Sequence, residues 1–416
     1  MRVDRIVLGN FRGAKDLPLV MSKAQTSVLV GANGAGKSTI LDCAAVLLSR
    51  LVGRVRSGST GGRTFSPSDI SNWATATSNG IEVTWGGRKF SWNVSRVRAG
   101  RTQVTGSDLH EATELASEIR DRLTQDEEAS LPVLVYYPVN RAVLDIPLRI
   151  RTRHHFDQLA TYNDSLTGAS SSFRVFFEWF RLREDYENEL RLENPTHRDP
   201  QLESVRRAIH ALMSGFSNLR VRRSPLRMVI TKGEVEVTVN QLSDGEKCLL
   251  ALVGDLARRL ALANPKLVNP LEGSGIVLVD ELELHLHPVW QRAIIPALER
   301  TFPCCQFIVS THSAPILGHI RQDSVFLLSH EPDNIKVRRL TTYGQDADRI
   351  LEEVFGTTAR PVEVENRLQR LFSEIDGNDL ESARVHAREL EESIGTDDSE
   401  VVKARVLIRR KELLGK

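Results

Sequence analysis

The sequence predicts an α/β protein with a mixed β-sheet flanked by helices, a helical insertion and a helical C-terminal tail. Three observations lead to this prediction. A glycine-rich segment, residues 31–36, lies between an apolar run and a helical pattern. Helix and strand patterns alternate from Glu246 to Ser310, which is typical of parallel strands joined by helices. Beyond about Gln345 the chain becomes charged and helical.

The elements follow from local patterns taken in order. Alternation predicts strands at 2–8 and 17–20, and a hairpin at 81–94 whose turn is Gly86-Gly87. Apolar runs predict buried strands, and helical periodicity predicts helices. Residues of about 140–215 are predicted to form a helical insertion, which is broken near Asn194-Pro195 and Asp199-Pro200. The remaining predicted strands are 27–30, 131–137, 219–239, 276–279 and 307–310, and the helices are 37–52, 108–122, 246–262, 289–299, 363–375, 380–394 and 399–414. The main domain is predicted to span 1–345 and the tail 346–416.

Composition excludes little. The 416 residues carry a formal net charge of +1, so only a local basic patch would favour nucleic acid. The four cysteines form no C-x-x-C pair and no disulfide framework, which favours a reducing compartment. The N-terminus has no signal-peptide core, and no apolar run approaches the roughly 18 residues of a membrane helix. We therefore expect a soluble, cytoplasmic protein without a membrane partner.

The strongest motif is GANGAGKS, residues 31–38, which fits the phosphate-loop pattern G-x-x-x-x-G-K-[ST] between a strand and a helix. The glycines let backbone N–H groups surround phosphate oxygens, Lys37 supplies positive charge to the β and γ phosphates, and Ser38 is placed to ligate Mg²⁺. The alternative is a chance glycine-rich turn. The predicted cofactors are ATP and Mg²⁺, and the candidate nucleotide-binding residues are Asn33, Gly34, Ala35, Gly36, Lys37, Ser38 and Thr39.

A second motif places two carboxylates at the end of the buried strand 276–279. Asp280 is the candidate Mg²⁺ ligand and Glu281 the candidate general base for the attacking water. Acids at this position also favour an ordinary helix N-terminus, which is the alternative. Glu283 is interpreted as a solvated acid.

Two further motifs follow the same order along the chain. QLSDGEK, residues 241–247, offers Ser243, the N–H of Gly245 and Glu246 at a helix start, either as an anion site or as an ordinary N-cap. VSTHSAPIL, residues 309–317, delivers His312 to the sheet edge, where it can contact a γ-phosphate or the attacking water, or be merely structural. His285 and His287 are weak metal candidates, and packing in a dimer loop is the alternative.

These four motifs, in this order, resemble the ABC-type ATPases, specifically the branch of RecF proteins, SMC proteins and overcoming-lysogenization-defect nucleases. The resemblance covers residues 1–50 and 240–330. It implies that Arg12, within Asn10-Phe11-Arg12, approaches the nucleotide. It also implies that the LS-x-G pattern of residues 242–245 faces the phosphate loop of a second copy in a head-to-tail dimer. No glutamine loop is found, Asp69 being a weak substitute, and the chain is too short for long coiled coils.

A narrower resemblance rests on residues 131–141, the helical insertion and the tail from Tyr343 onward. These segments are similar to the ATPase subunits of Septu-type anti-phage systems and to retron-associated ATPases. The resemblance implies a defence ATPase that controls a separately encoded HNH-type nuclease. No D-x-D pair follows His312, and Asp376 and Asp379 are interpreted as helix-boundary residues.

Two alternatives stay open beside the defence ATPase. One is a RecF-like repair factor that clamps DNA through a basic stripe, although a solvated face is the commoner meaning of such runs. The other is a nucleotide-held scaffold with little turnover; a transporter cassette is disfavoured because it has no counterpart of the insertion and tail. The candidate stripe comprises Arg141, Arg149, Arg151, Arg153, Arg220, Arg222 and Arg223.

Overall fold

The computed structural model describes residues 1–58, 61–101, 106–139, 156–167, 173–320, 323–331, 334–358 and 360–414. They form two compact units, Met1–Gln345 and Asp346–Lys416. The strands of the described chain are β1 (Arg2–Phe11), β2 (Ala14–Val20), β3 (Thr26–Val30), β4 (Ala76–Trp85), β5 (Arg88–Val97), β6 (Val133–Tyr137), β7 (Phe216–Arg223), β8 (Leu226–Lys232), β9 (Val235–Thr238), β10 (Gly275–Val279), β11 (Cys305–Ser310), β12 (Val325–Glu331) and β13 (Asn334–Leu340). The α-helices are α1 (Lys37–Ser57), α2 (His110–Gln125), α3 (Phe173–Glu193), α4 (Pro200–Leu212), α5 (Asp244–Ala263), α6 (Pro288–Thr301), α7 (Ala314–Leu317), α8 (Ala347–Phe355), α9 (Val362–Asp376), α10 (Leu380–Ile394) and α11 (Ser399–Leu414).

Six strands form the central sheet of the first unit, in the order β13-β12-β3-β11-β10-β6. All neighbours are parallel except β13, which runs antiparallel to β12. Every residue of β3, β6, β10 and β11 is buried, as expected for parallel strands covered on both faces. The carboxyl ends of β3, β11 and β10 therefore lie side by side at one edge of the sheet, where the candidate site residues follow.

A four-stranded antiparallel sheet, β2-β1-β4-β5, lies beside the central sheet. Its strands alternate buried and exposed residues, which is the pattern of a sheet with one face on the core. The indole N–H of Trp92 on β5 donates to the carbonyl of Leu47 on α1 at 2.9 Å. This buried hydrogen bond fixes the sheet to the helix that follows the glycine-rich segment.

The third sheet, β7-β8-β9, connects the helical insertion to α5. A 3₁₀ turn at Val239–Gln241 leads from β9 to the start of α5. Asp255, buried on α5, accepts hydrogen bonds from the Tyr137 hydroxyl at 3.0 Å, from Arg258 at 2.6 Å and from Arg259 at 2.7 Å. Burial alone would raise the pKa of Asp255, but the two arginines outweigh it and hold the pKa below its ordinary value. The carboxylate therefore ties α5 to β6.

The second unit is helical. A small apolar core joins α9, α10 and α11, and its fully buried members include Leu371, Ala383, Leu390, Val401 and Ala404. Asp346 caps α8 by accepting from the N–H of Arg349, and Gly356 ends that helix in the left-handed conformation. The bundle has its own core and its own caps.

The predicted fold class, a mixed sheet flanked by helices, is confirmed. The three predicted tail helices lie within a residue or two of α9, α10 and α11, and Asp376 and Asp379 lie at helix boundaries as interpreted. Strands β12 and β13 and helix α8 are not among the predicted elements. No helix in the described chain is long and apolar enough to cross a membrane.

Candidate nucleotide-binding site

The glycine-rich segment forms a tight loop between β3 and α1. Gly31, Gly34 and Gly36 have φ values of 147°, 79° and 102°, a region that residues with a Cβ rarely adopt. A Cβ on Gly31 would also lie 2.3 Å from the carbonyl oxygen of Leu328 on β12. Glycine is thus required at position 31 by backbone conformation and by space, and the loop curls back before α1 begins at Lys37.

Lys37 is buried and folds back over this loop. Its amino group donates to the carbonyls of Gly31 at 2.9 Å and Ala32 at 3.0 Å. Burial lowers the pKa of Lys37, against the opposing effect of the nearby carboxylates Asp280 and Glu281. The structure therefore brings the predicted lysine together with the predicted acids.

The other predicted residues of the loop take different positions. Asn33, Gly34 and Ser38 are exposed, whereas Ala35 is buried and Thr39 is partly buried. Ser38 lies in the first turn of α1 directly after Lys37. The exposed members are accessible to a ligand at the loop, and Ala35 serves the packing of the loop.

The two predicted acids follow β10 and are held by residues from neighbouring strands. The Asp280 N–H donates to the carbonyl of Tyr137 on β6 at 2.9 Å, and its carboxylate is buried. The Ser310 hydroxyl, at the end of β11, donates to Asp280 and accepts from the Glu281 N–H at 2.8 Å. Glu281 has a φ of 46°, an uncommon value for a residue with a side chain, which turns the chain sharply at this point. One buried serine thus orients both acids.

The interpretation of Glu283 as a solvated acid is wrong. Its Oε1 accepts a hydrogen bond from the His312 backbone N–H, and its Oε2 is buried without a hydrogen-bond partner among the described residues. A charge-assisted hydrogen bond of this kind is stronger than one between neutral groups. Glu283 therefore fixes the loop that carries His312, relative to the acids of the same chain.

His312 lies in the loop after β11, which we call the switch loop (residues 311–313). The Thr311 N–H donates to the carbonyl of Leu29 on β3 at 3.1 Å, so this loop is joined to the strand that enters the phosphate loop. Burial, reinforced by the charge of Lys37, lowers the pKa of His312 against the opposing effect of Glu283. The imidazole is consequently neutral near pH 7 and can donate through one ring nitrogen while accepting through the other.

The signature segment, residues 241–247, begins α5. The Ser243 hydroxyl accepts from the Glu246 N–H at 3.3 Å, and the Ser243 N–H donates to the Glu246 carboxylate at 2.8 Å. Lys232 of β8 donates to Glu246 at 2.6 Å. Burial opposes the charge of Glu246, but these hydrogen bonds outweigh burial and lower the pKa of Glu246. The N-cap alternative thus describes the arrangement within one chain.

Gly245 of the signature segment packs against the loop that follows the acids. A Cβ at this position would lie 2.1 Å from the carbonyl oxygen of His285. Among the described residues, neither Ser243 nor Gly245 hydrogen-bonds the phosphate loop. Within one chain the signature segment is therefore well capped and separate in its contacts from Lys37.

Arg12 pairs with two carboxylates rather than standing alone. Its guanidinium contacts Asp42 of α1 at 2.9 Å and Asp69 at 3.0 Å. Asp69 also accepts from the N–H and the hydroxyl of Ser66. Arg12 is thus attached to the helix that follows the phosphate loop, and its approach to the nucleotide stays a prediction. Asp69, committed to Arg12 and Ser66, has a structural role at this position.

The two histidines of the second motif take different positions in the described chain. His287 is the N-cap of α6, where its ring nitrogen accepts from the Val289 N–H at 3.3 Å. His285 is exposed, with a φ of 60°. No group of three metal-ligating side chains occurs in the part of the chain that the structure describes.

The candidate basic stripe is not formed by its described members. Arg220 and Arg222 both pair with Glu236, and Arg223 pairs with Glu184 and Asp185. The other four members, Arg141, Arg149, Arg151 and Arg153, lie outside the described residues. The described arginines of this run are therefore largely neutralised.

Sequence reasoning missed three residues that shape the site, namely Ser310, Glu283 and Tyr137. Ser310 is the last residue of a buried strand next to the switch histidine, and this position was an available signal. The contact of Glu283 with a backbone N–H twenty-nine residues away could not be read from spacing. Tyr137 contributes its carbonyl to Asp280 and its hydroxyl to Asp255.

The donor set suits a hard divalent cation. Ser38 offers a hydroxyl in the first turn of α1 and Asp280 a carboxylate at the end of β10, and Mg²⁺ prefers oxygen ligands. The residues that would hold it flank Lys37, whose charge and that of Asp280 already interact. The residues present thus fit the predicted Mg²⁺ together with a polyphosphate.

Comparisons with known proteins identify matching domains and a similar fold. A family model described as an AAA domain matches residues 5–214. A second AAA-domain model, whose description names the AbiEii toxin and the type IV TA system, matches residues 142–317. A solved SMC head bound to the C-winged helix domain of ScpA covers 82% of this chain and 98% of its own, with 18% identity and a TM-score of 0.48.

Curated relatives give a narrower picture. The chain is 30% identical to the Retron Ec83 probable ATPase of Escherichia coli, over 99% of this chain and 87% of that protein. It is 28% identical to the Retron Vc95 probable ATPase of Vibrio cholerae serotype O1 biovar El Tor, over 84% and 78%. It is 26% identical to the Septu protein PtuA of Bacillus thuringiensis, over 49% and 53%.

A phosphate loop after β3, a pair of acids after β10 and a match to an AAA-domain model over residues 5–214 define a P-loop ATPase, and the order of its motifs is that of the ABC type. The chain belongs to the family of the retron-associated ATPases, with Septu PtuA among its relatives. The resemblance inferred from the motifs, and the prediction that the protein is an ATPase, are confirmed.

Proposed function

We propose that this ATPase works in an anti-phage defence complex, where two copies close head-to-tail around two ATP molecules and control a separately encoded HNH-type nuclease. The similarity to retron and Septu ATPases supports the defence role. The observation that carries the dimer is the division of the site. Lys37, Asp280, Glu281 and His312 meet within one chain, whereas neither Ser243 nor Gly245 hydrogen-bonds the phosphate loop of that chain among the described residues.

Each residue of the phosphate-loop side then has a role in hydrolysis. Lys37 offsets the charge of the β and γ phosphates, and Glu281 accepts the proton of the attacking water. His312, neutral and held by Glu283, hydrogen-bonds the γ-phosphate or that water. Ser38 and Asp280 would hold Mg²⁺, which would supply charge stabilisation to the phosphates.

The signature side acts on the nucleotide of the other copy. α5 presents its N-terminus and the Ser243 hydroxyl, and a helix N-terminus favours an anion. The second copy would thus complete each site, and the two sites would be equivalent by symmetry. Arg12, fixed to α1 through Asp42, supports the nucleotide from the same chain as Lys37.

The tail is the proposed docking segment for the nuclease. On α11, Val402, Val406 and Leu413 are 43%, 61% and 79% exposed and fall on one face of the helix. An exposed apolar stripe is costly to leave in water and is typical of an interaction surface. We define these three residues as the α11 stripe.

A pull-down tests the proposal. The tagged Glu281→Gln chain, expressed with its neighbouring genes and supplied with ATP and Mg²⁺, is expected to retain an HNH-type nuclease in fixed ratio. Lys37→Ala, which removes the phosphate contact, is expected to lose the ATP-dependent dimer. Recovery of DNA alone would favour a repair clamp instead, and recovery of a second copy alone would favour a scaffold.

A second pair of variants tests the tail. Val402→Asp with Val406→Asp is expected to abolish nuclease retention while ATP binding is unchanged. The matched control is Val235→Asp with Val268→Asp, two exposed valines of the first unit. Equal retention by both double variants would contradict docking through the α11 stripe.

A further inference from the structure

The helical insertion contains an arginine-lined cleft that no step of ATP hydrolysis uses. It has a volume of about 620 Å³ and lies between α3, α4 and β7. We call it the arginine cleft. The residues of its wall that matter here are Arg191, Arg198, Arg206, Arg207, His210 and Asn218.

The acidic residues that line the cleft, Glu184 and Glu203, are already engaged, as is the neighbouring Glu187. Glu187 is fully buried and receives two hydrogen bonds of 3.1 Å from Arg206, which also contacts Glu203 at 2.6 Å. Glu184 pairs with Arg223. The carboxylates at the base of the cleft are therefore neutralised by arginines that are themselves held in place.

Two arginines of the cleft form no ion pair among the described residues. Arg198 and Arg207 are exposed and have no carboxylate within 4.0 Å among the described residues. Arg207 contacts only neutral oxygens, those of Ser204 at 3.3 Å and Asn269 at 3.2 Å. The rim of the cleft thus carries net positive charge, in contrast to the paired arginines of β7.

Several contacts hold the base of the cleft in place, and such preorganisation lowers the cost of binding a ligand. The guanidinium of Arg206 lies over the Phe180 ring, 5.7 Å from its centre, while it holds Glu187 and Glu203. On the opposite wall, a register shift between Ser217 and Arg220 forms an irregularity in β7. Asn218, within it, has a φ of 53° and is exposed. Such irregularities re-aim side chains and are frequent beside binding sites.

The cleft is connected to the signature segment through its β7 wall. From β7 the chain runs through β8 and β9 and the 3₁₀ turn directly to Ser243. Lys232, at the end of β8, donates to Glu246 in the signature segment at 2.6 Å. A ligand against β7 therefore contacts the sheet that supports Ser243.

We propose that the arginine cleft binds phosphate groups, supplied by a nucleic-acid strand or by a free polyphosphate ligand, through Arg198 and Arg207. Guanidinium groups match phosphate oxygens in a bidentate geometry. The exposed arginines supply the contacts, Arg206 keeps the base in shape, and the amide of Asn218 adds a neutral hydrogen-bonding group. This site is separate from the phosphate loop and does not depend on the nuclease partner.

Fluorescence polarisation with the full chain tests the proposal. The probe is a short fluorescein-labelled single-stranded oligonucleotide, and the phosphate loop is filled with a non-hydrolysable ATP analogue and Mg²⁺. Arg198→Ala with Arg207→Ala is expected to weaken binding about tenfold or more and to reduce the slope of log affinity against log salt by about 1.4, roughly 0.7 for each lost contact. The charge-matched control is Arg5→Ala with Arg96→Ala, two exposed arginines of the antiparallel sheet without an ion pair among the described residues.

Inorganic tripolyphosphate, added as a competitor, distinguishes the two sources. If a low concentration of tripolyphosphate displaces the oligonucleotide from the unaltered chain but not from the cleft variant, the result supports a free polyphosphate ligand. Failure of tripolyphosphate to compete, with cleft-dependent oligonucleotide binding, supports a nucleic-acid strand. Failure of the oligonucleotide to bind, or equal weakening by the cleft and control variants, overturns the proposal.

Discussion

The phosphate-loop side and the signature side of the candidate site differ in how they are held. On the phosphate-loop side, three adjacent parallel strands deliver Lys37, Asp280 and His312 to one sheet edge, where their charges interact. On the signature side, Ser243 and Glu246 satisfy each other in a capping box at the start of α5. In the proposed mechanism, the first side supplies the groups that hydrolyse ATP. The second side is capped within its own chain, and in the proposed dimer it contacts the nucleotide of the other copy.

The largest expected effect is on the phosphate-loop side. Glu281→Gln keeps the side-chain shape but removes the base, so turnover is expected to fall about a hundred- to ten-thousandfold while ATP binding is retained. Steady-state phosphate release and binding of a fluorescent ATP analogue measure the two quantities. Glu234→Gln, an exposed control, is expected to behave as the unaltered chain. Turnover within tenfold of normal would remove Glu281 from the role of base.

The next effect concerns the connection between the two sides. Asp255 on the signature helix contacts Tyr137, whose carbonyl holds the Asp280 N–H. Asp255→Asn leaves Arg258 and Arg259 buried without a counter-charge, and it is expected to lower the free energy of unfolding by about 3–5 kcal/mol. Denaturant titration measures this change. Asp244→Asn, which loses only an exposed contact to Lys247, is the control; a similar loss in both would contradict a special role for Asp255.

A smaller effect is expected from Glu283, the positioning residue of the switch loop. Glu283→Ala removes a charge-assisted acceptor and is expected to lower kcat about ten- to hundredfold with little change in ATP affinity. Glu283→Gln keeps an acceptor and is expected to restore part of this loss.

The pH profile of Glu283→Gln separates positioning from a general structural role. The negative charge of Glu283 raises the pKa of His312, against the larger lowering by burial. Its removal lowers that pKa further, so the acid limb of turnover due to protonation of His312 is expected to move to lower pH. An unchanged or higher acid limb would contradict the contact between Glu283 and His312.

The smallest expected change in stability comes from Ser243, whose variants distinguish a helix cap from a contact with the phosphate of a second copy. Ser243→Ala removes the cap and is expected to lower the free energy of unfolding by about 1 kcal/mol. Ser243→Asp keeps a capping oxygen and is expected to change stability by less than about 0.5 kcal/mol. If Ser243 also meets the phosphate of a second copy, Ser243→Asp adds repulsion and abolishes turnover. Normal turnover in Ser243→Asp would leave the residue as a cap alone.

The sequence predicted the parts of the molecule that depend on local pattern. Apolar runs identified β3, β10 and β11, and the residues directly after them identified the phosphate loop, the acids and His312. The hairpin β12-β13 is harder to recognise because β13 has a single buried residue, Ile335, and alternates weakly. The contact of Glu283 with His312 depends on two loops that only the parallel sheet brings together.

Charge runs were the least informative feature of the sequence. Arg220, Arg222 and Arg223 read as a basic stripe, but each meets a carboxylate on a neighbouring element. Arg198 and Arg207 stand in an unremarkable charged segment and remain without a carboxylate partner among the residues described. Pairing across elements decides which charges are available, and a single sequence does not contain that information.

The close packing of Gly245 against the carbonyl of His285 has a consequence for a pair of copies. Because no atom larger than hydrogen fits between them, a displacement of the start of α5 in such a pair would press on the loop behind the acids. In the proposed pair, α5 serves one nucleotide and the acids of the same chain serve the other. Hydrolysis of one nucleotide would therefore be coupled to the other site through this contact.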